Sequence, residues 1–377
     1  MSELSYMKKL LDGVEVEWKE LGDVAAYEQP TKYLVKSKNY NDDYSTPVLT
    51  AGKTFVLGYT NETEGIYKAS ESPVIIFDDF TTANKWVDFD FKAKSSAMKM
   101  ITSTDESKFL LKYIYYYLNS LPSQDIAGDH KRQWISTFSK ISIAIPPVNV
   151  QAEIVRILDT FTELTAELTA ELNMRKKQYS HYQFEVFEFP KTTQYLKIGE
   201  CCDIEKGLTP IKKAIPGKYP LVATTKARQS SSEYQFDCAA VCVPLISSRG
   251  HGVASIDRIY FQEGKFAVGN ILCAITPKDN KLLSAKFLRY YLFDKKDVLL
   301  VPLMRGGANV SLTMDSLKKV KIPIPPVADQ QRIVRTLDKF DELVKDLQRE
   351  IELRQQQYEY YRDLLLSFPK PEVVAHD

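Results

Sequence analysis

The chain has 377 residues, enough for two domains, and its 44% hydrophobic and 26% charged residues are an ordinary balance for a soluble globular protein. Its apolar runs are short and broken by charge, which excludes a bilayer-spanning helix. The opening MSELSYMKKLLDGVEVEW has no signal-peptide apolar core, so the expected compartment is the cytoplasm. The net charge of +1 conceals an asymmetry: residues 192–323 carry 20 Lys+Arg against 11 Asp+Glu, giving +9, while residues 1–144 carry 17 against 20, giving −3. A basic second domain suits a polyanionic partner, although a solvated basic surface accounts for the charge equally well.

In chain order, residues 1–144 read as a first α+β domain. Val74-Ile75-Ile76-Phe77 has the character of a buried strand, and Phe109 to Leu118 that of an aromatic-rich helix carrying Tyr113, Tyr115, Tyr116 and Tyr117. Tyrosines can stack on bases, but helical packing explains this cluster more cheaply. Three loops combine small, hydrogen-bonding and basic residues: one with Tyr59, Thr60 and Asn61, one with Thr81 and Thr82, and one with Lys94, Ser95, Ser96 and Lys99. Such side chains read base edges and hold phosphates, and a plain structural turn is the competing reading for each loop. Asp78-Asp79 matches no metal loop, so an edge or loop role is expected.

Residues 145–191 open on Pro146-Pro147, which end an extended stretch, and continue into a run free of proline and glycine until Pro190. Ile154, Leu158, Phe161, Thr165, Leu168, Leu172, Arg175, Tyr179, Tyr182 and Val186 recur at alternating spacings of four and three, the signature of a heptad seam. A second domain, residues 192–323, follows. It has a strand-like run Val241–Ile246, a helix from Phe287 to Phe293, and two loops offering Ser247, Ser248, Arg249 and His251, then Arg305 and Asn309. His251 has no nucleophile or carboxylate pattern beside it and reads as a loop residue. All five cysteines lie in this half, without a CxxC pair, and read as reduced and mostly buried; with four scattered histidines, no metal site is expected.

Residues 324–377 repeat the central segment. IPPVADQQRIVRTLDKFDELVKDLQREIELRQQQYEYYRDLLLSFPK at 324–370 matches 145–191 without a gap at an offset of 179, with 22 of 47 positions identical. Its seam runs through Ile333, Leu337, Phe340, Val344, Leu347, Ile351, Arg354, Tyr358, Tyr361 and Leu365. Outside the segment, Lys108-Phe109-Leu110 aligns with Lys286-Phe287-Leu288 at offset 178, and Leu21-Gly22-Asp23 with Ile198-Gly199-Glu200 at offset 177. The repeating unit is thus a whole half-chain. Each helix would hold about 37 residues and span roughly 55 Å. Two such seams in one chain pack most simply against each other as an antiparallel pair. Arg175 and Arg354 occupy the same seam step, either as buried charges that fix register or snorkelling to solvent. The first helix holds four basic against six acidic residues over 151–187, which suits a ruler or docking surface better than a DNA reader.

Two unlike domains, each followed by a near-identical IPPV-x-x-Q…I-V-R…L-D…F…E-L helix, resemble the specificity subunits of type I restriction–modification systems. PVLTAGKTFVLGYTNETEG, FDDFTT, FKAKSSAMK, SSRGHG and LMRGGANVSLT look like phrases of that family's target-recognition domains. The resemblance implies an α+β fold of two tandem target-recognition domains. Long helices, the family's conserved regions, separate them and pair as an antiparallel coiled coil with pseudo-two-fold symmetry. It implies that each domain reads one half of a bipartite, asymmetric DNA site, that the helices set the spacer, and that two methyltransferase subunits and the restriction/translocase subunits are the protein partners. S-adenosylmethionine, ATP and magnesium then belong to those partners. The chain shows no Asp/Asn-Pro-Pro-aromatic loop, no GxxxxGK[ST] and no GxGxxG, so a stand-alone enzyme is the weaker alternative; a protein-binding scaffold is the other.

Overall fold

The computed structural model describes residues 3–51, 54–121, 132–225, 227, 229–248, 256–306 and 309–369. The chain forms two compact units. One joins Met1–Thr169 to Glu350–Asp377, and the other is Ala170–Arg349. The division falls within the two long helices. Each unit takes the opening half of one helix and the closing half of the other, an antiparallel arrangement.

Both units are built on one frame. In the first, strand Glu17–Glu20 pairs antiparallel with Ser142–Ile145; in the second, Gln194–Lys197 pairs with Lys321–Ile324. The repeated Leu-Gly-Asp and Ile-Gly-Glu phrases sit just after the first strand of each pair, in short helices Leu21–Val24 and Ile198–Cys201. A Cβ on Gly22 would come within 3.0 Å of the Ser139 carbonyl oxygen, and one on Gly199 within 3.0 Å of the Lys318 Cβ. Glycine is repeated there because the next segment of the frame packs directly on the backbone.

After each Pro-Pro comes a helix of 39 residues, Val148–Val186 and Val327–Leu365. Every seam residue of the 4–3 pattern is at least half-buried, with Ile154, Leu158, Leu172, Ile333, Leu337, Leu347 and Leu365 buried outright. In the first unit the Phe161 and Tyr361 rings stack at 5.3 Å; in the second, Tyr179 stacks on Phe340 at 5.4 Å and donates its hydroxyl to Asp341 at 2.8 Å. Each such aromatic pair adds roughly 0.5–1.5 kcal/mol beyond the area it covers. Arg175 and Arg354 are not buried charges. Each lies along its own helix, bonded to the glutamate four residues before it and the glutamine three after it (Glu171 and Gln178; Glu350 and Gln357), with about a third of the side chain exposed. Their one-turn pairing satisfies the guanidinium at the seam edge.

Among the described residues each head carries two main sheets. In the first, strands run in the order Ala25–Glu28, Met98–Ser103, Val74–Asp78, Asn84–Val87, with a smaller sheet of Val56–Thr60, Thr46–Leu49 and Lys92–Ala93. In the second, the order is Cys202–Lys206, Leu272–Pro277, Ala240–Pro244, Tyr260–Gln262, beside a sheet of Gln229–Ser231, Tyr219–Val222, Lys265–Val268 and Phe236–Asp237. The run Val241–Ile246 is not one strand. It breaks at Leu245, and Ile246–Ser248 pairs with Asn309–Ser311 instead. Four of the five cysteines are buried, Cys238 is half-buried, and all are free; burial pushes the Cys273 thiol up to about 12.

The head helices are Leu111–Ser120 and Ala285–Asp294, which corrects the expected alignment. Lys108-Phe109-Leu110 precedes its helix, whereas Lys286-Phe287-Leu288 lies inside the other. The spatial equivalents of Lys108 and Leu110 are Leu282 and Ser284, an offset of 174. A buried glutamine decides this. The Gln151 carboxamide donates to the carbonyls of Lys108 and Pro146, both at 2.8 Å, and accepts the Leu110 N–H at 2.9 Å. Gln330 donates to Leu282 at 2.9 Å and Pro325 at 2.8 Å, and accepts the Ser284 N–H at 2.9 Å. Two turns further along each long helix, Tyr116 bonds Asp159, with Lys112 at 3.3 Å, and Tyr290 bonds Asp338 at 2.8 Å, with Lys286 at 2.8 Å. Burial, then the carboxylate partner, pushes both tyrosine hydroxyls well above their ordinary pKa, so they remain donors.

Gln151→Ala or Gln330→Ala leaves buried backbone groups unpaired, at a cost of about 2–3 kcal/mol each. Thermal unfolding should register both losses, and Gln→Glu, which keeps shape but removes the donors, should not restore stability. A melting temperature unchanged by Gln330→Ala would show that the clasp carries no weight.

Candidate nucleic-acid interface

The loops nominated from sequence divide into surface and framework. Thr60 ends strand Val56–Thr60 and is 1% exposed, its hydroxyl accepting the Glu62 N–H at 3.3 Å. Lys99 is 0% exposed: its ammonium lies 3.5 Å from Asp79 and 4.6 Å from the centre of the Tyr27 ring. Neither has surface to offer to DNA, and both are corrected to framework residues. Lys99 lies in a strand whose first four residues are all buried, and Thr60 at the buried end of its own.

Tyr59 is half-buried and Asn61 exposed, but their segment runs into a structural knot. The Glu62 carboxylate accepts the N–H groups of Lys36 and Ser37 at 2.9 and 2.8 Å and pairs with buried Lys92 at 3.0 Å. Burial pushes the Glu62 pKa up, yet the Ser37 N–H, the Lys92 ammonium and the Lys36 N–H together hold it below its ordinary value. In the Thr46–Leu49/Val56–Thr60 hairpin, Thr60 pairs with Thr46 at one end, whereas Lys94 donates its N–H to Leu49 at the other, at 2.8 Å. Tyr59 and Asn61 are thus at the opposite end of that ladder from Lys94.

Thr81 and Thr82 share a tight turn whose polar groups are partly spent on the turn itself. Asp78 accepts the Phe80 N–H at 3.0 Å and the Thr81 hydroxyl at 2.7 Å, and its carbonyl accepts the Thr82 N–H at 2.9 Å. Thr82 has φ of 61°, a left-handed conformation that costs a β-branched residue of order 1–3 kcal/mol. Ser95 accepts the Ala97 N–H at 3.1 Å, Ser96 is exposed, and Lys94 and Ser95 are half-buried. The turn and this loop are neighbours, because Asp79 donates its N–H to the Ala97 carbonyl at 3.2 Å.

In the second unit the two nominated loops form one ribbon. Ser248 pairs with Asn309 and Ser247 with Val310, and Arg305 exchanges backbone hydrogen bonds with Ser311 at 3.0 and 2.7 Å. Arg305 is exposed, its guanidinium donating to the Pro302 carbonyl at 2.7 Å. Arg249 and His251 lie outside the described residues. Among the described residues no group of three or more His, Cys, Asp or Glu is placed to hold a metal ion, and no helix is long and apolar enough to cross a membrane.

Sequence reasoning assigned no role to Gln151, Gln330, Asp159 or Asp338. The signal was present: the same glutamine stands four residues after Pro147 and after Pro326, and the same aspartate eight residues beyond it. Nothing in one sequence reveals what such residues touch.

The model of the type I restriction modification DNA specificity domain matches this chain twice, over residues 13–175 and 190–353. The chain belongs to that family. It is 50% identical to the type I restriction enzyme EcoR124I/EcoR124II specificity subunit of Escherichia coli, over the full length of both chains. It is 30% identical to a putative type I restriction enzyme specificity subunit of Haemophilus influenzae, over 97% of this chain and 98% of that one. Among solved structures, the S subunit of a type I restriction–modification system from M. genitalium superposes with a TM-score of 0.68, covering 95% of this chain and 98% of that one at 14% identity; this likeness bears on the fold alone. Each specificity domain spans one head, its frame and the greater part of the helix that follows. The chain is a type I specificity subunit that recognises DNA sequence.

Breaking the Asp79–Lys99 pair strands a charge in the core. Asp79→Ala should destabilise the chain by about 3–5 kcal/mol. Adding Lys99→Met should recover much of that loss in a double-mutant cycle followed by chemical denaturation; strictly additive losses would contradict the pairing.

Proposed function

We propose that this subunit is the non-catalytic reader of a multisubunit DNA adenine methyltransferase and restriction enzyme in the cytoplasm. Each unit reads one half of a bipartite, asymmetric target, and the long helices set the gap between halves. The observation that carries this reading is the identical frame beneath unlike heads: Gln151 and Gln330 make the same three hydrogen bonds while the loops above them differ in sequence and length. Half-sites on one duplex require two reading modules held at a set separation, which a dimer supplies by symmetry and this chain supplies by duplication. Unlike heads then make the target asymmetric.

Chemistry is left to the partners. S-adenosylmethionine is bound by two methyltransferase subunits, and ATP and magnesium by the restriction/translocase subunits. The −3 charge of residues 1–144 supports this division, because a reader without net positive charge needs phosphate contacts from elsewhere. Docking of two equivalent partners is supported by a matched pair of apolar side chains on the long helices, Met174 and Leu353, exposed by 57% and 49% and related by the repeat offset of 179.

Exchanging residues 25–144 for those of another specificity subunit should change one half of the methylated motif and leave the other half and the gap intact, as read by single-molecule sequencing of host DNA. A change in both halves would contradict modular reading. A scaffold that binds only proteins would give no motif at all. Met174→Asp with Leu353→Asp should reduce co-purification of the methyltransferase subunits by roughly tenfold or more. Unaltered stoichiometry would place docking elsewhere.

A further inference from the structure

The two heads share a three-way junction that their sequences hide. In the first unit, Asp79 follows the central strand, donates its N–H to the Ala97 carbonyl at 3.2 Å, and accepts the Gln133 N–H on its own carbonyl at 2.9 Å. In the second unit, Leu245 follows the equivalent strand, donates to the Ile271 carbonyl at 2.8 Å, and accepts the Leu312 N–H at 2.8 Å. The two residues have nothing in common chemically, yet their backbones tie the same three segments together. Ser96 and Asn270 become equivalent, and Arg132 stands just before Gln133 as Ser311 stands just before Leu312.

This equivalence locates the side chains at the junction. In the second unit the third segment, Arg305 to Ser311, is bonded to the strand Ile246–Ser248 that leads out of the junction. In the first unit the third segment supplies Arg132, which is exposed, and the turn after Asp79 supplies Phe80, a large aromatic left 41% exposed. The turn that holds Phe80 outward is over-determined. Asp78 closes it with three hydrogen bonds, Thr82 is held at φ of 61°, and the Asp79 carboxylate takes the Trp134 N–H at 2.9 Å as well as the Lys99 charge. Backbone strain and a buried ion pair keep an apolar ring at the surface, on a segment bonded through the Asp79 backbone to the one that carries exposed Arg132. Core packing does not require that arrangement; a surface that meets a duplex can use both groups, the ring against a thymine methyl or base edge and the guanidinium on phosphate or guanine.

We propose that Phe80, Ser96 and Arg132, drawn from the three segments fastened at Asp79, form the edge of the first unit that touches DNA, with Phe80 reading a base of its half-site and Arg132 holding the phosphate backbone. Tyr59 and Asn61, on the far end of their hairpin, lie off this edge. The proposal rests on the reading of the chain as a two-headed DNA reader and deepens it.

The test uses the full chain assembled with its methyltransferase subunits. The probe is a duplex carrying the motif that the unaltered complex methylates. Phe80→Ala should relax preference at one base position of the first unit's half-site, and Arg132→Gln should weaken binding roughly tenfold while lowering the salt dependence by the share of one contact. Asn61→Ala should change neither. All three positions are exposed, so unchanged melting temperatures are expected and rule out misfolding. Wild-type affinity and motif in both Phe80→Ala and Arg132→Gln would overturn the proposal, as would an effect of Asn61→Ala exceeding theirs. A complex that shows no motif-selective binding before any substitution would instead defeat the two-headed reading itself.

Discussion

A buried carboxamide fastens each head to its helix. Gln151 and Gln330 are fully enclosed, and each ties a helix start to the loop that launches the head helix through two donated hydrogen bonds and one accepted. A polar group so placed holds its position closely, because every departure leaves a buried donor or acceptor unpaired. Two turns further on, the tyrosine–aspartate–lysine contacts of Tyr116, Asp159 and Lys112, and of Tyr290, Asp338 and Lys286, fix rotation about the helix axis as the glutamine fixes position along it. Head and helix therefore behave as one rigid piece within each unit, and a head can change its loops without changing where it sits on the frame.

The heads exploit that freedom. Their strands correspond one to one through the main sheet, but the residue after the central strand is a buried aspartate in one and leucine in the other. In the first head the local anchors are electrostatic: Lys99 with Asp79, Lys92 with Glu62, and Asp78 closing its turn. In the second, apolar Leu245 stands where the first has Asp79, and an added ribbon, Ile246–Ser248 with Asn309–Ser311, leads out from it. Two solutions to the same backbone problem leave different side chains at the surface, as the proposed asymmetric target requires.

Much of this was legible in the sequence. The gapless offset of 179 and the 4–3 spacing located both long helices to within a few residues, because a heptad stripe is a periodic signal that no tertiary contact can shift. The tyrosine-rich helix and the inward strand Val74–Phe77 were legible for the same reason. The Lys-Phe-Leu match at offset 178 misled, since three shared residues carry no information about which carbonyl a glutamine forty residues away will seek. Lys99 and Thr60 misled because composition marks polarity, whereas burial depends on which face of a strand the register presents. Arg132 was invisible, and Phe80 lay in a nominated loop without being singled out: the hydrogen bonds that tie their segments to that of Ser96 run through backbone atoms, which every residue possesses.

On the proposed reading, rigid attachment of head to helix makes helix length the determinant of spacing. Inserting one heptad into the first long helix, and sequencing the modified bases in DNA methylated by the resulting complex, measures this directly. The account requires both half-sites to keep their bases while the gap between them alters. An unaltered gap, or new bases in either half, would show that the helices do not hold the heads apart as rigid struts.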